Sequence, residues 1–168
     1  MKPTATELGN SFREFFTTIF PDFKEEFLTK RMRFVRDFPE KKLRIIVAMP
    51  IFYPIAEKSD IAHGLHIIFE IEFDEKTCLK FTDSRAIKGW EKVVTQKINT
   101  LVELVVLAPN CPRCNSLTYP HKSVDNQVNP KGTAFVWHTC SGKKCGTNVP
   151  TPYRIGLKTA VSKFLKKE

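Results

Sequence analysis

Four of the five cysteines stand in two short-spaced pairs, Cys111-Pro112-Arg113-Cys114 and Cys140-Ser141-Gly142-Lys143-Lys144-Cys145, with 25 residues between the pairs. Each pair can fold into a knuckle that presents both sulfurs to one ion, and two knuckles together make a tetrahedral set of thiolates for Zn²⁺. Pro112, Gly142 and Gly146 supply the turn-forming residues a knuckle needs. The intervening segment is polar, with Asn126, Asn129, Pro130 and Gly132, and cannot build an apolar core of its own. A metal solves that problem, because apparent binding energies of about 10–16 kcal/mol hold modules of this size together. A closed set of four thiolates leaves no open coordination position, so the expected Zn²⁺ is structural.

Two other chemistries compete for the same residues. Disulfides would suit a secreted chain, but Met1-Lys2-Pro3-Thr4 lacks the apolar core of a secretory signal, and an intracellular location is expected. A redox Cys-x-x-Cys ordinarily opens a helix, and no helical pattern follows Cys114. His121 and His138 are near enough in sequence to replace a cysteine, although four cysteines make that unnecessary. Cys78 stands alone and reads as a buried structural thiol.

The charge is unevenly placed. The formal net charge is +9, yet residues 1–83 carry 13 basic and 14 acidic side chains, while residues 111–168 carry ten basic and two acidic. A neutral body with a basic end points to a polyanionic partner; the bland alternative is a solvated basic face. Arg113, Lys122, Lys131, Lys143 and Lys144 lie in and around the cysteine pairs and can neutralise phosphates. Phe135 and Trp137 alternate on an expected strand and can stack on unpaired bases for about 1–3 kcal/mol each, unless Trp137 instead packs against the body. Nucleic acid is therefore the expected partner. The body is left for a protein partner or self-association, and no membrane partner is expected.

The Cys-Pro-Arg-Cys pair, a variable segment, and the strand Phe135-Val136-Trp137-His138-Thr139 running into Cys-Ser-Gly-Lys-Lys-Cys resemble the zinc ribbons at the C-terminal end of type IA DNA topoisomerases. The resemblance covers about residues 109–150. It implies a nucleic-acid-binding ribbon, with DNA ahead of RNA as its partner, and not topoisomerase activity, since nothing in residues 1–108 resembles that catalytic domain.

A catalytic alternative rests on Asp60, Glu70 and Glu72. Acidic residues around a central strand, in an order of helix, strands and helix, loosely match the restriction-endonuclease-like core, in which such carboxylates bind Mg²⁺ and activate water. Against this, the lysine expected two residues after the first glutamate is replaced by Glu72, Asp60 falls in an expected loop, and alternating glutamates ordinarily form the wet face of a strand. The leading expectation assigns no catalytic residues. A third reading is a zinc-ribbon adaptor that binds only protein.

These side chains need a scaffold, and the 168 residues suffice for one domain or a domain plus a small module. The 42% hydrophobic content excludes wholesale disorder, and no window reaches the roughly 18 apolar residues of a membrane span. Eight of the 14 phenylalanines fall between Phe12 and Phe38. Phe12, Phe15, Phe16, Ile19 and Phe20 share a helical face, and Pro21 and Asp22 open a second expected helix with Phe23, Phe27, Phe34 and Val35. Leu43–Met49 reads as a strand, and His66–Phe73 with Thr77–Phe81 as a hairpin. Ser84 is expected to cap a helix to about Asn99, with Ile87, Trp90, Val94 and Ile98 inward; Leu101–Leu107 extends that helix or forms a buried strand. Tyr153–Lys167 reads as a basic helix. The expected class is α+β: a body over residues 1–108, a ribbon over 109–150 and a basic helix or tail over 151–168.

Overall fold

The computed structural model describes residues 5–28, 31–50, 65–85, 89–122, 133–156 and 166–167. It is α+β, with two α-helices and two antiparallel sheets among the described residues. Helix α1 (Ala5–Ile19) places Leu8, Phe12, Phe15 and Phe16, spaced four, three and one apart, on one buried face. Pro21 follows it, and the chain enters a meander of β1 (Lys24–Leu28), β2 (Arg31–Phe38), β3 (Leu43–Pro50), β4 (Leu65–Phe73) and β5 (Lys76–Arg85), paired in that order.

The second expected helix is thus two strands. Met32, Phe34 and Phe38 alternate into the core, and that period of two prevails over the looser helical spacing of Phe23, Phe27 and Phe34. The expected hairpin is β4–β5. Its turn residues Asp74 and Glu75 both have positive φ, 48° and 67°, as a type I′ turn requires.

Across the sheet, Phe34, Val47, Phe69 and Phe81 stand in register and form one apolar row. Phe16 stacks on Phe34 with ring centroids 4.1 Å apart, and Phe12 stacks on Trp90 at 4.6 Å, so α1 covers β2 and meets helix α2 (Trp90–Val106). Helix α2 buries Trp90, Val94, Ile98, Leu101, Leu104 and Val105. Their three- and four-residue spacing carries the run at 101–107 into the helix rather than a strand. Ser84 does not cap it: β5 runs on to Arg85, and the N-cap is Gly89 at φ 78°. Ile87 lies outside the described residues.

The second sheet has the order β6 (Thr118–Lys122), β7 (Thr133–Cys140), β8 (Asn148–Gly156) and β9 (Lys166–Lys167). Residues Tyr153 to Gly156, expected in a basic helix, belong to β8. Residues Arg154, Ile155 and Gly156 pair with Phe135, Ala134 and Thr133 of β7, and residues 166–167 pair back onto β8. Pro150 and Pro152 lack the N–H a sheet needs, and the β7–β8 register shifts between Phe135 and Trp137, where the Thr151 hydroxyl donates to the Val136 carbonyl instead. Residues 157–165 lie outside the described residues.

The two sheets share one buried cluster. Val136 and Tyr153 pack with Leu101, Leu104 and Val105, and Tyr119 stacks on Phe73 at 5.0 Å. The C-terminal end of α2 serves as the dock. His138 Nε2–H donates to the Leu104 carbonyl (2.8 Å), the Tyr153 hydroxyl donates to the Glu103 carboxylate, and the Lys41 ammonium donates to the carbonyls of Val105, Val106 and Ala108. The bonds from His138 and Lys41 thus gather on carbonyls in and just beyond the last turn of α2, where the helix ladder runs out.

Candidate metal centre

The four paired cysteines converge. Their sulfurs all lie within 4.8 Å of one another, and among the described residues no other group of three or more Cys, His, Asp or Glu gathers so closely. Each knuckle closes by the same bond. The Cys111 N–H donates to the Ser116 carbonyl and the Cys140 N–H to the Thr147 carbonyl, both at 2.8 Å. The residue after each second cysteine has left-handed φ, Asn115 at 63° and Gly146 at 61°, which turns the chain back toward the sulfurs. The first knuckle leads into β6 and the second joins β7 to β8, so sheet pairing between Thr118 and Cys140 fixes their separation.

The donor set fits a four-coordinate metal ion. A tetrahedron with metal–sulfur bonds of about 2.3 Å has edges of about 3.8 Å; Cys114 and Cys140 sulfurs are 3.4 Å apart and those of Cys111 and Cys145 3.6 Å apart. The Arg113 and Gly142 N–H groups point at the Cys111 and Cys140 sulfurs, at 3.4 and 3.2 Å. Gly142 lies so close that a Cβ there would sit 3.2 Å from the Cys114 sulfur and 3.3 Å from that of Cys140, so glycine keeps the approach open. Burial works to raise the Cys111 thiol, but the N–H groups of Cys114 and Arg113 outweigh it and bring it down to about 6. The Cys114 thiol is also held below its usual range, chiefly by the Ser116 hydroxyl. The Cys140 thiol moves the other way: the Gly142 N–H works to lower it, but burial and the three neighbouring cysteines push it up to about 12. Negative charge is thus favoured at Cys111 and Cys114, while crowding of the four sulfurs opposes it at Cys140 until a cation offsets it.

Neither histidine joins the set. His138 is buried and committed to the α2 dock, and burial holds its imidazole below the usual range. His121 stands on β6 with its ring 6.3 Å from Tyr119. No helix follows Cys114 among the described residues, so the redox arrangement has no counterpart there. Cys78 is half-buried on β5, its thiol donating to the Ile71 carbonyl, and burial pushes it up to about 12, which disfavours the thiolate.

Arg113, Lys143 and Lys144 belong to the knuckles, and all three are exposed. Strand β7 turns Val136, His138 and Cys140 to the buried side, which places Trp137 and Thr139 on the other. Docking therefore falls to Val136, His138 and Tyr153, while Trp137 lies half-buried opposite His121 and Pro150 in the register. Phe135 takes its place on β7 opposite Arg154, and Lys122 ends β6. Lys131 and Asp60 lie outside the described residues.

Glu70 and Glu72 share the sheet face turned away from the helices, as the alternation requires, but each has its own neighbours. The Thr77 hydroxyl donates to Glu70, whose register partner on β5 is Lys80, and Arg44 approaches Glu72 to 3.9 Å. A guanidinium thus stands beside the carboxylate that a catalytic Mg²⁺ would need. Glu72→Ala is expected to shift the urea unfolding free energy by no more than about 0.5 kcal/mol.

Three features escaped the sequence. Ser116 and Thr147 each follow the second cysteine of a knuckle by two residues, and the shared pattern Cys-Asn-Ser and Cys-Gly-Thr is the signal that could have revealed them. The third is a buried ion pair, Lys97 Nζ to Asp83 Oδ2 at 2.6 Å, for which a charge on the inward face of each element is the only sequence sign. No helix among the described residues is long and apolar enough to cross a membrane. The chain matches no protein-family model, no curated protein and no solved structure.

Proposed function

We propose that the chain is a nucleic-acid-binding protein whose four cysteines hold a structural Zn²⁺, with DNA as its partner ahead of RNA. Four thiolates in a closed set suit zinc, which has no geometric preference of its own to satisfy and supplies no open position for catalysis. The observation that carries the binding role is the coincidence of charge and exposure at this end of the molecule. Residues 111–168 hold ten basic side chains against two acidic, and Arg113, Lys143 and Lys144 stand at the surface of the knuckles themselves. Trp137, on the sheet face away from the dock, supports stacking on unpaired bases, in keeping with the nucleic-acid-binding ribbons that residues 109–150 resemble. No catalytic role is assigned.

Charge reversal tests the assignment. Lys143→Glu/Lys144→Glu is expected to weaken binding to all sequences alike and to lower the slope of log K against log salt by about one per lost phosphate contact. Metal content should stay at wild-type level. Unchanged affinity and slope in a fluorescence anisotropy titration would remove the knuckles from the binding surface.

A further inference from the structure

The two knuckles differ in length by two residues, yet the same contacts recur at both. In each, the first cysteine is buried and receives a backbone N–H from the residue two positions on, Arg113 to Cys111 and Gly142 to Cys140. In each, the second cysteine is more open, Cys114 exposed and Cys145 half-exposed, and meets a side-chain hydroxyl from the residue two positions on. Ser116 Oγ lies 3.2 Å from the Cys114 sulfur and Thr147 Oγ1 lies 3.1 Å from that of Cys145. The left-handed Asn115 and Gly146 bring each hydroxyl back over its sulfur. The polar neighbours are thus divided by exposure: a main-chain N–H from two positions on for the buried pair of sulfurs, a hydroxyl from two positions on for the solvent-facing pair.

We propose that Ser116 and Thr147 are positioning residues of the metal centre, whose hydroxyls donate to the Cys114 and Cys145 thiolates and hold these two solvent-facing sulfurs on the metal. The proposal rests on the reading of the four cysteines as a zinc centre. Four thiolates around one divalent ion leave a net charge of −2, most reactive where water and electrophiles reach it. A hydrogen bond to a ligating sulfur disperses that charge, fixes the lone pair that binds the metal, and slows displacement of the sulfur. Backbone closure of the knuckles does not need the hydroxyls, because Cys111 and Cys140 donate to the carbonyls of Ser116 and Thr147. The side chains can therefore be changed without removing the turns.

The full chain should be loaded with Zn²⁺ for release to a chromogenic chelator, and with Co²⁺ for absorption spectra. Ser116→Ala and Thr147→Val are each expected to speed zinc release about threefold and the double variant at least about tenfold. The sulfur-to-cobalt charge-transfer band should move to longer wavelength while the d–d bands keep their tetrahedral form. Ser116→Thr and Thr147→Ser, which keep a hydroxyl, should stay within about twofold of wild type. Release rates and band positions unchanged in both hydroxyl-less single variants would overturn the proposal, and these singles decide it if the double variant takes up no cobalt. Failure of the wild-type chain to bind cobalt is a separate result, which removes the metal reading and this proposal with it.

Discussion

Cys140→Ala is expected to lose stoichiometric metal and, with it, the order of both knuckles. The spans at risk are Cys111 to Ser116, the residue that closes the first knuckle, and Cys140 to Thr147, which closes the second. Cys140 is a buried member of the cluster at the end of β7, with its sulfur 3.4 Å from that of Cys114. Removing it leaves three thiolates and an open position, and it forfeits much of a binding energy of about 10–16 kcal/mol that the polar knuckles cannot replace with apolar contacts. The damage should stop at the dock. Leu8, Phe12, Phe34, Phe69 and Ile98 form a core that does not depend on the sulfurs, so α1, the five-stranded sheet and most of α2 should keep their hydrogen-exchange protection. Native mass spectrometry of the variant should find no bound zinc. Stoichiometric zinc would contradict the assignment of Cys140 as a ligand.

Lys97→Ala is expected to cost about 3–5 kcal/mol, because it leaves the Asp83 carboxylate in the core without its ammonium partner. Asp83 is 1% exposed and Lys97 5%, with the ammonium 5.8 Å from the centre of the Phe69 ring. A loss of that size is a large part of the roughly 5–15 kcal/mol that holds a domain together. Replacing both, as Asp83→Leu/Lys97→Met, should recover at least half of the loss, since an apolar pair needs no compensation for buried charge. Urea unfolding of the two variants and wild type decides the matter. A loss under about 1 kcal/mol in Lys97→Ala would show that Asp83 is not left as an uncompensated buried charge.

What could be read from the sequence follows from where the physical constraint was local. The cysteine spacing is local, because a knuckle must deliver both sulfurs within a few residues, and all four converging cysteines were legible. So was α1, whose Phe12, Phe15 and Phe16 share one face, and so was the β4–β5 hairpin, whose alternation from Phe69 to Phe73 is unbroken. The strands β1 and β2 were not, because Phe23, Phe27 and Phe34 satisfy a helical spacing while the decisive alternation of Met32, Phe34 and Phe38 includes a charged Arg36 at the inward position. That guanidinium lies over the Phe38 ring, 4.7 Å from its centre, a contact no local pattern announces. The end of α2 and the buried Asp83–Lys97 pair depend on how the sheet meets the helix, which is a tertiary fact. The start of the basic helix expected from Tyr153 gave way to pairing with β7, a contact between segments distant in sequence.

The most direct test of the account compares zinc-loaded and metal-stripped protein in binding to single- and double-stranded DNA and RNA, with and without Mg²⁺, scoring both mobility shift and cleavage. The account predicts that the zinc-loaded chain shifts nucleic acid, that the shift weakens steeply with salt and is lost on removal of the metal, and that nothing is cut. A metal-stripped chain that binds as well as the loaded one, or Mg²⁺-dependent cutting that disappears in Glu70→Ala and Glu72→Ala, would contradict it.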